Sequence, residues 1–240
     1  MEWSDDGIVL GTRPHGEAGV ILEAMTRNHG RHLGLVHGGR SRKLGPVLQA
    51  GNGVRLTWRA RLDEHLGHYS VEPNSMRAAR LMNSRFALHG LATMAHHLRF
   101  LPERDPHPIL FDAASEVTDH LDDPAVAPAA FVRFELLFLA EMGYGLDLDS
   151  CAATGSVTDL VFVSPRSGRA VSAAAGEPYR DRLLQLPAFL EATGADEADR
   201  DAVAAGFRLT GYFLEARLYG PQGRVLPPER ERMVAGAAAA

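Results

Sequence analysis

Lysine is almost absent from this sequence: Lys43 is the single one among 25 basic residues in 240. A Walker A loop needs a lysine and a hydroxyl residue directly after glycine, G-x-x-x-x-G-K-[ST]. Lys43 lies in HGGRSRKLGP (37–46) and is followed by Leu44, so the chain holds no such loop, and no G-x-G-x-x-G opens a helix there. Cysteine is equally scarce. Cys151 alone can form neither an internal disulfide nor a multi-cysteine metal site. Long apolar runs are also missing: the most apolar stretch, 129–145, is broken by Arg133, Glu135 and Glu141 and is too short to span a bilayer. No charged start followed by an apolar run opens the chain, so no membrane role and a cytoplasmic compartment are expected. Catalytic patterns are wanting too. There is no G-x-S-x-G elbow or HExxH, and Cys151 has no evident base partner. His29, His32 and His37, and the pair His96-His97, carry no recognisable ligand spacing. Neither an enzyme nor a cofactor is expected.

The last absence is local. Between Glu23 and Asp63 no acidic residue occurs, while Arg27, Arg31, Arg40, Arg42, Lys43, Arg55, Arg59 and Arg61 do. Residues 1–62 carry nine basic against five acidic residues; residues 63–240 carry 16 against 25. Such segregation suits either a basic surface for a polyanion or a solvated basic face.

Residues 1–72 read as short strands. Gly7–Leu10, Val20–Met25 and Leu33–Val36 are apolar runs separated by Pro14-His15-Gly16, Asn28-His29-Gly30 and Gly38-Gly39, the pattern of a small barrel or sandwich. VRLTWRARL (54–62) alternates, with Val54, Leu56, Trp58, Ala60 and Leu62 on one face and Arg55, Thr57, Arg59 and Arg61 on the other. Cations two apart on a strand lie roughly 6.8 Å from each other, so these arginines form a stripe. Together with Arg40, Arg42 and Lys43 the stripe favours nucleic acid over a solvated face. Trp58 could stack a base, but its parity favours the core.

From Pro73 the period becomes helical. Asn74 or Ser75 is expected to cap a helix reaching Leu101, followed by helices at Ile109–Leu121 and Pro128–Met142. Residues 147–177 read as a turn-rich insertion with one strand near Leu160–Val163. Helices are expected again at 178–193 and 196–219, with a frayed AGAAAA tail.

The order of these features resembles the RecO family of DNA repair and recombination mediators. Three stretches carry the likeness: GIVLGTRPHGEAGVILEAMTRNHGR (7–31), HGGRSRK (37–43) and RFELLFLAEMGYGLDLDSCAATG (133–155). The resemblance implies an α+β protein: an N-terminal OB-fold β-barrel (1–73), a helical domain (74–146 and 178–240) and a zinc-finger-like insertion (147–177). It implies a non-catalytic mediator that binds single- and double-stranded DNA and anneals complementary strands. Such a mediator engages the acidic tail of single-stranded-DNA-binding protein and, with RecR, helps load RecA, in the nucleoid. The DNA contacts expected are the eight cations named above, and Arg133 is matched to the contact for the acidic tail. The rival reading is a scaffold whose basic N-terminal domain meets an acidic protein.

Zinc-bearing members use two C-x-x-C pairs. Here Cys151 is followed by Thr154 at the second position, and 167–176 has no cysteine. Four thiolates close a tetrahedral zinc site and one cannot, so packing around Leu160 and Phe162 is expected to hold the insertion. Metal analysis of chain purified without added metal should find no stoichiometric zinc; about one per chain would overturn this.

Overall fold

The computed structural model describes residues 1–190 and 198–239, with side chains to residue 237. The chain divides into two compact units, Met1–Asp122 and Asp123–Ala240. The cut falls after Asp122, whereas strand gives way to helix between Ser75 and Ala78.

In the first unit, β1 (Glu2–His15), β2 (Gly19–Thr26), β3 (Gly30–Val36), β4 (Gly53–Arg59) and β5 (His68–Ser75) close into a barrel of order β1-β2-β3-β5-β4. Neighbours pair antiparallel except β3 and β5, which meet in parallel at Leu35 and His68. Val9, Leu22, Ala24, Val36, Val54, Leu56, Trp58 and Tyr69 fill the interior. Trp58 is fully buried and its indole N–H donates to the Leu66 carbonyl at 2.9 Å. Burial of a ring this size without that acceptor would leave an unsatisfied donor.

The β2–β3 turn is fixed by a buried carboxylate. Asp5 accepts from the Asn28 N–H (2.6 Å), Asn28 Nδ2 (2.9 Å) and the Asp6 N–H (2.9 Å), and His29 Nδ1 lies 3.0 Å away. Gly30 then turns into β3 at φ +65°, with the Asp105 carbonyl 2.0 Å from where a Cβ would stand. No side chain fits there.

Several expected boundaries shift. β4 stops at Arg59, so Ala60, Arg61 and Leu62 leave the sheet and Leu62 is exposed. Pro73 to Ser75 belong to β5, not to a helix; beyond His68 that strand pairs on one side only, which tolerates a proline. The long helix anticipated to Leu101 is two pieces, α1 (Ala78–Leu81) and α2 (Arg85–Leu98). The second is capped by Ser84 Oγ, which accepts from the Ala87 N–H, and Met76 and Met82 are exposed rather than packed. α3 (Pro108–His120) follows.

The second unit begins with α4 (Ala127–Glu141). A small sheet of order β7-β6-β8 comes next, from β6 (Leu160–Val163), β7 (Ala170–Ser172) and β8 (Leu184–Gln185), with the one-turn α5 (Ala173–Gly176) after β7. The insertion's sheet thus reaches past residue 177. The helix expected over 178–193 is absent across 178–190, where a 3-10 turn (Glu177–Arg182), β8 and a second 3-10 turn stand; residues 191–193 lie outside the described residues. α6 (Arg200–Phe213) starts four residues later than expected and continues into a π-helical turn, Leu214–Tyr219; residues 196 and 197 also lie outside the described residues. The supposed frayed tail is part of α7 (Pro228–Ala239), with Ala240 outside the described residues.

A buried ion pair ties α4, α6 and α7. Glu135 is fully buried and accepts from Arg230 Nε (2.7 Å), Arg230 Nη2 (2.8 Å) and Thr210 Oγ1 (2.5 Å). Arg230 also donates to the Phe207 carbonyl at 2.9 Å, and Gly211 leaves room for the guanidinium, since a Cβ there would stand 2.9 Å from Nη1. Removing one partner strands a buried charge. Arg230→Met should therefore lower unfolding free energy by about 3–5 kcal/mol. The double variant Glu135→Leu/Arg230→Met should lose less than the single, and a larger loss in the double would refute the coupling.

Candidate nucleic-acid interface

Folding cancels most of the charge segregation seen along the chain. The first unit holds fourteen basic and fourteen acidic residues, and the second eleven and sixteen. The β1–β4 ladder does the same at residue level. Its register sets Asp6 against Arg55, Ser4 against Thr57 and Glu2 against Arg59. All three couples bond: Arg55–Asp6 at 3.3 Å, Ser4–Thr57 hydroxyls at 2.8 Å and Arg59–Glu2 at 2.8 Å. The arginine face of β4 is real, but a carboxylate row on β1 lies alongside it.

Two more of the eight cations are engaged. Arg27 grips Asp112 with two bonds, Nε to Oδ1 at 2.9 Å and Nη2 to Oδ2 at 2.7 Å. Those bonds hold the Asp112 carboxyl below the usual carboxylate range. Arg31, with 16 % of its side chain exposed, shares Glu23 with Arg99 at 3.1 and 2.8 Å. Burial raises the Glu23 carboxyl, but its bonds to Arg99 and Arg31 outweigh that and lower it overall.

The remaining expected contacts are Arg40, Arg42, Lys43 and Arg61, all but Arg61 in the loop 37–51. All are exposed, and Arg42, Lys43 and Arg61 have no hydrogen bond or ion pair among the described residues. Arg40 donates only to a neutral acceptor, the Glu17 carbonyl, at 3.2 Å. The loop itself is held. Gly39 is buried against Val20 and Leu48, the Arg40 N–H donates to the Ala18 carbonyl, and consecutive turns run through Ser41, Gly45 and Leu48. At its far end the buried Asn52 donates to the Pro46 and Val47 carbonyls and accepts from the Ala78 N–H. Charged side chains on a tethered loop meet a partner with little ordering cost. Arg13, omitted from the expected contacts, is another exposed cation with no ion pair among the described residues, on the β1–β2 hairpin that carries Glu17 and Ala18. In sequence it stands alone among Gly, Pro and His, so no stripe signals it.

Comparisons with known proteins agree with this architecture. The model described as recombination protein O N terminal matches residues 1–75, and recombination protein O C terminal matches residues 88–224. The chain belongs to the recombination protein O family. A DNA repair protein RecO from Methylobacterium nodulans is 62% identical over 240 residues, covering 98% of this chain and 97% of the relative. One from Methylorubrum extorquens is 58% identical over 240 residues, 98% of each chain. One from Rhizobium johnstonii is 58% identical over 223 residues, 93% of this chain and 87% of the relative. Membership assigns the chain to DNA repair and recombination. No described helix is long and apolar enough to cross a membrane.

The zinc site carried by some family members does not fit the residues here. Cys151 is buried and its Sγ accepts from the Ser172 N–H (3.3 Å) and Oγ (3.4 Å). Among the described residues no three His, Cys, Asp or Glu side chains come together to hold a metal. Arg133 donates to the Phe189 carbonyl at 3.0 Å, its guanidinium 5.5 Å from the Phe189 ring centre. Glu135, two residues on, turns inward to Arg230.

The histidines have separate tasks. His29 lies flat on Trp3 (centroids 3.9 Å apart, planes 7° apart) beside Asp5, and Trp3 also stacks on Trp58. His32 is buried, with Nδ1 2.8 Å from the Tyr69 hydroxyl, and burial together with the nearby Arg104 lowers its pKa to about 4. Its folded pKa lies below the unfolded value of about 6.5. The stability it confers is therefore complete above pH 6.5 and is lost as pH falls toward 4. Chemical unfolding at pH 7 and pH 4.5 should show wild type losing about 2 kcal/mol more than His32→Asn. Equal losses would refute the assignment.

Proposed function

We propose that this chain is a non-catalytic DNA repair and recombination mediator that holds DNA on the loop 37–51. The observation that carries the reading is the set Arg40, Arg42 and Lys43: exposed, with no ion pair, and displayed from a tethered loop on the barrel. Arg61 and the unpaired Arg13 would add to that field. Arg27, Arg31, Arg55 and Arg59 would contribute less, because each already has a carboxylate within 3.3 Å. The strand order and the barrel's size support an OB-fold, a frame that commonly carries single strands. Contacts to phosphate leave base edges free to pair, which is what annealing of complementary strands requires.

The division of labour follows the sequence blocks: DNA on 1–73, protein partners on the helical segments 74–146 and 178–240, and a metal-free insertion at 147–177. Family membership supports action with RecR in loading RecA onto single strands coated by single-stranded-DNA-binding protein, in the cytoplasm at the nucleoid. For that protein's acidic tail the candidate is Arg133, which is exposed and lies over a phenylalanine ring. Annealing assays with and without single-stranded-DNA-binding protein separate a mediator from a scaffold for an acidic protein, since a scaffold would not accelerate annealing.

The triple variant Arg40→Ala/Arg42→Ala/Lys43→Ala should weaken binding across unrelated sequences. It should flatten the salt dependence of single-strand binding by about 2 in log–log slope, at about 0.7 per phosphate contact. Arg55→Ala/Arg59→Ala should change affinity about twofold at most. Fluorescence anisotropy over a salt series reads both, and an equal loss in the two variants would show that the loop has no special part.

A further inference from the structure

Two histidines beside the basic loop have no structural task. His37 follows the last residue of β3 and His68 is the first of β5, the two strands that meet at Leu35 and His68. Their rings stack, with centroids 4.8 Å apart and planes 20° apart, and both residues are exposed. Neither ring has a hydrogen bond, an ion pair or a second ring contact among the described residues. The other exposed-side stack of the barrel differs in this respect. There Trp3 stacks with both His29 and Trp58, and His29 lies 3.0 Å from Asp5. That stack has three rings, whereas the exposed His37–His68 stack has two among the described residues.

Its position matters as much as its openness. His37 is three residues from Arg40, so their Cα atoms are at most about 11 Å apart. That is a span of only a few nucleotides along one strand. A strand held by the loop cations therefore has its neighbouring bases within reach of the two imidazoles. Aromatic side chains, histidine included, serve as stacking surfaces for unpaired bases, and every base offers a face whatever its sequence.

We propose that His37 and His68 form a nucleobase-stacking subsite for single-stranded nucleic acid, adjoining the phosphate contacts of Arg40, Arg42 and Lys43. The inference rests on the reading of the loop as a DNA-binding element and adds base contact to it. In a duplex the bases are stacked on each other, so the subsite acts on single strands alone. The stack makes no demand on base edges and so gives no sequence preference.

The test compares three labelled probes of equal length by anisotropy: an oligothymidylate, an abasic strand with the same phosphates, and a duplex. For full-length His37→Ala/His68→Ala, affinity for oligothymidylate should fall about tenfold. Affinity for the abasic strand and the duplex should stay within about twofold, and the salt slope should not change. His37→Phe/His68→Phe should restore tight binding to oligothymidylate. Circular dichroism of each variant separates loss of fold from loss of stacking. If the alanine variant, folded, weakens all three probes alike or none of them, the subsite is refuted. If wild type binds the abasic strand as tightly as oligothymidylate while the Arg40, Arg42 and Lys43 triple variant weakens both, the loop reading stands and the stack falls. If wild type binds none of the probes, both readings fall together.

Discussion

Closure of the barrel through the β1–β4 ladder decides which positive charges are available. Antiparallel pairing at that register places Glu2 and Asp6 beside Arg59 and Arg55, with the Ser4 and Thr57 hydroxyls bonded between them. Opposite charges facing across a ladder attract, and each such pair adds a few tenths of a kcal/mol to the seam. The same arrangement removes the arginine stripe from the long-range field, because each guanidinium has an anion at contact distance. Free positive charge must then come from somewhere other than a strand. The loop between β3 and β4 supplies it, with no carboxylate of its own.

The loop can play that part because the buried polar groups around it are satisfied. Asn52 uses its side-chain donor on two loop carbonyls and its acceptor on the first turn of α1. Asp5 does the same for the β2–β3 turn, spending its lone pairs on Asn28 and Asp6. Each is a case of a buried polar side chain doing what backbone pairing cannot do in a turn. The barrel consequently displays its basic loop from fixed ends, and the charges do not need to be ordered when a polyanion arrives.

What could be read from the chain follows from the range of the interactions involved. Alternation placed Val54, Leu56 and Trp58 inside, and the structure buries all three, because parity along one strand is a local property. The basic loop was visible for the same reason: its charges are neighbours in sequence. The neutralisation of Arg27, Arg31, Arg55 and Arg59 was not visible, since Asp112 is 85 residues from Arg27 and Glu2 is 57 from Arg59. A window without acids says nothing about acids that a sheet register brings alongside. Asn74 and Ser75 are good helix caps in isolation, but pairing with β4 keeps this segment extended. Polar and small residues on the inner face of β3 were equally opaque. His32 and Gly34 face the barrel interior, where Gly34 leaves room for the Tyr69 ring 2.4 Å from its absent Cβ, and His32 bonds to the hydroxyl of that same tyrosine.

These long-range pairings also separate the chain's histidines by chemistry. The imidazole inside the barrel, His32, is disfavoured as an ion by its burial and by Arg104 nearby. One at the β2–β3 turn is held between a carboxylate and an indole. Among the described residues, the β3–β5 junction is where two exposed imidazoles stack with no further partner. The two strands pair at Leu35 and His68 alone, and both imidazoles beside that pair are exposed. The parallel junction that completes the barrel therefore also creates the surface on which a base could lie, next to the loop that the rest of the charge pattern singles out.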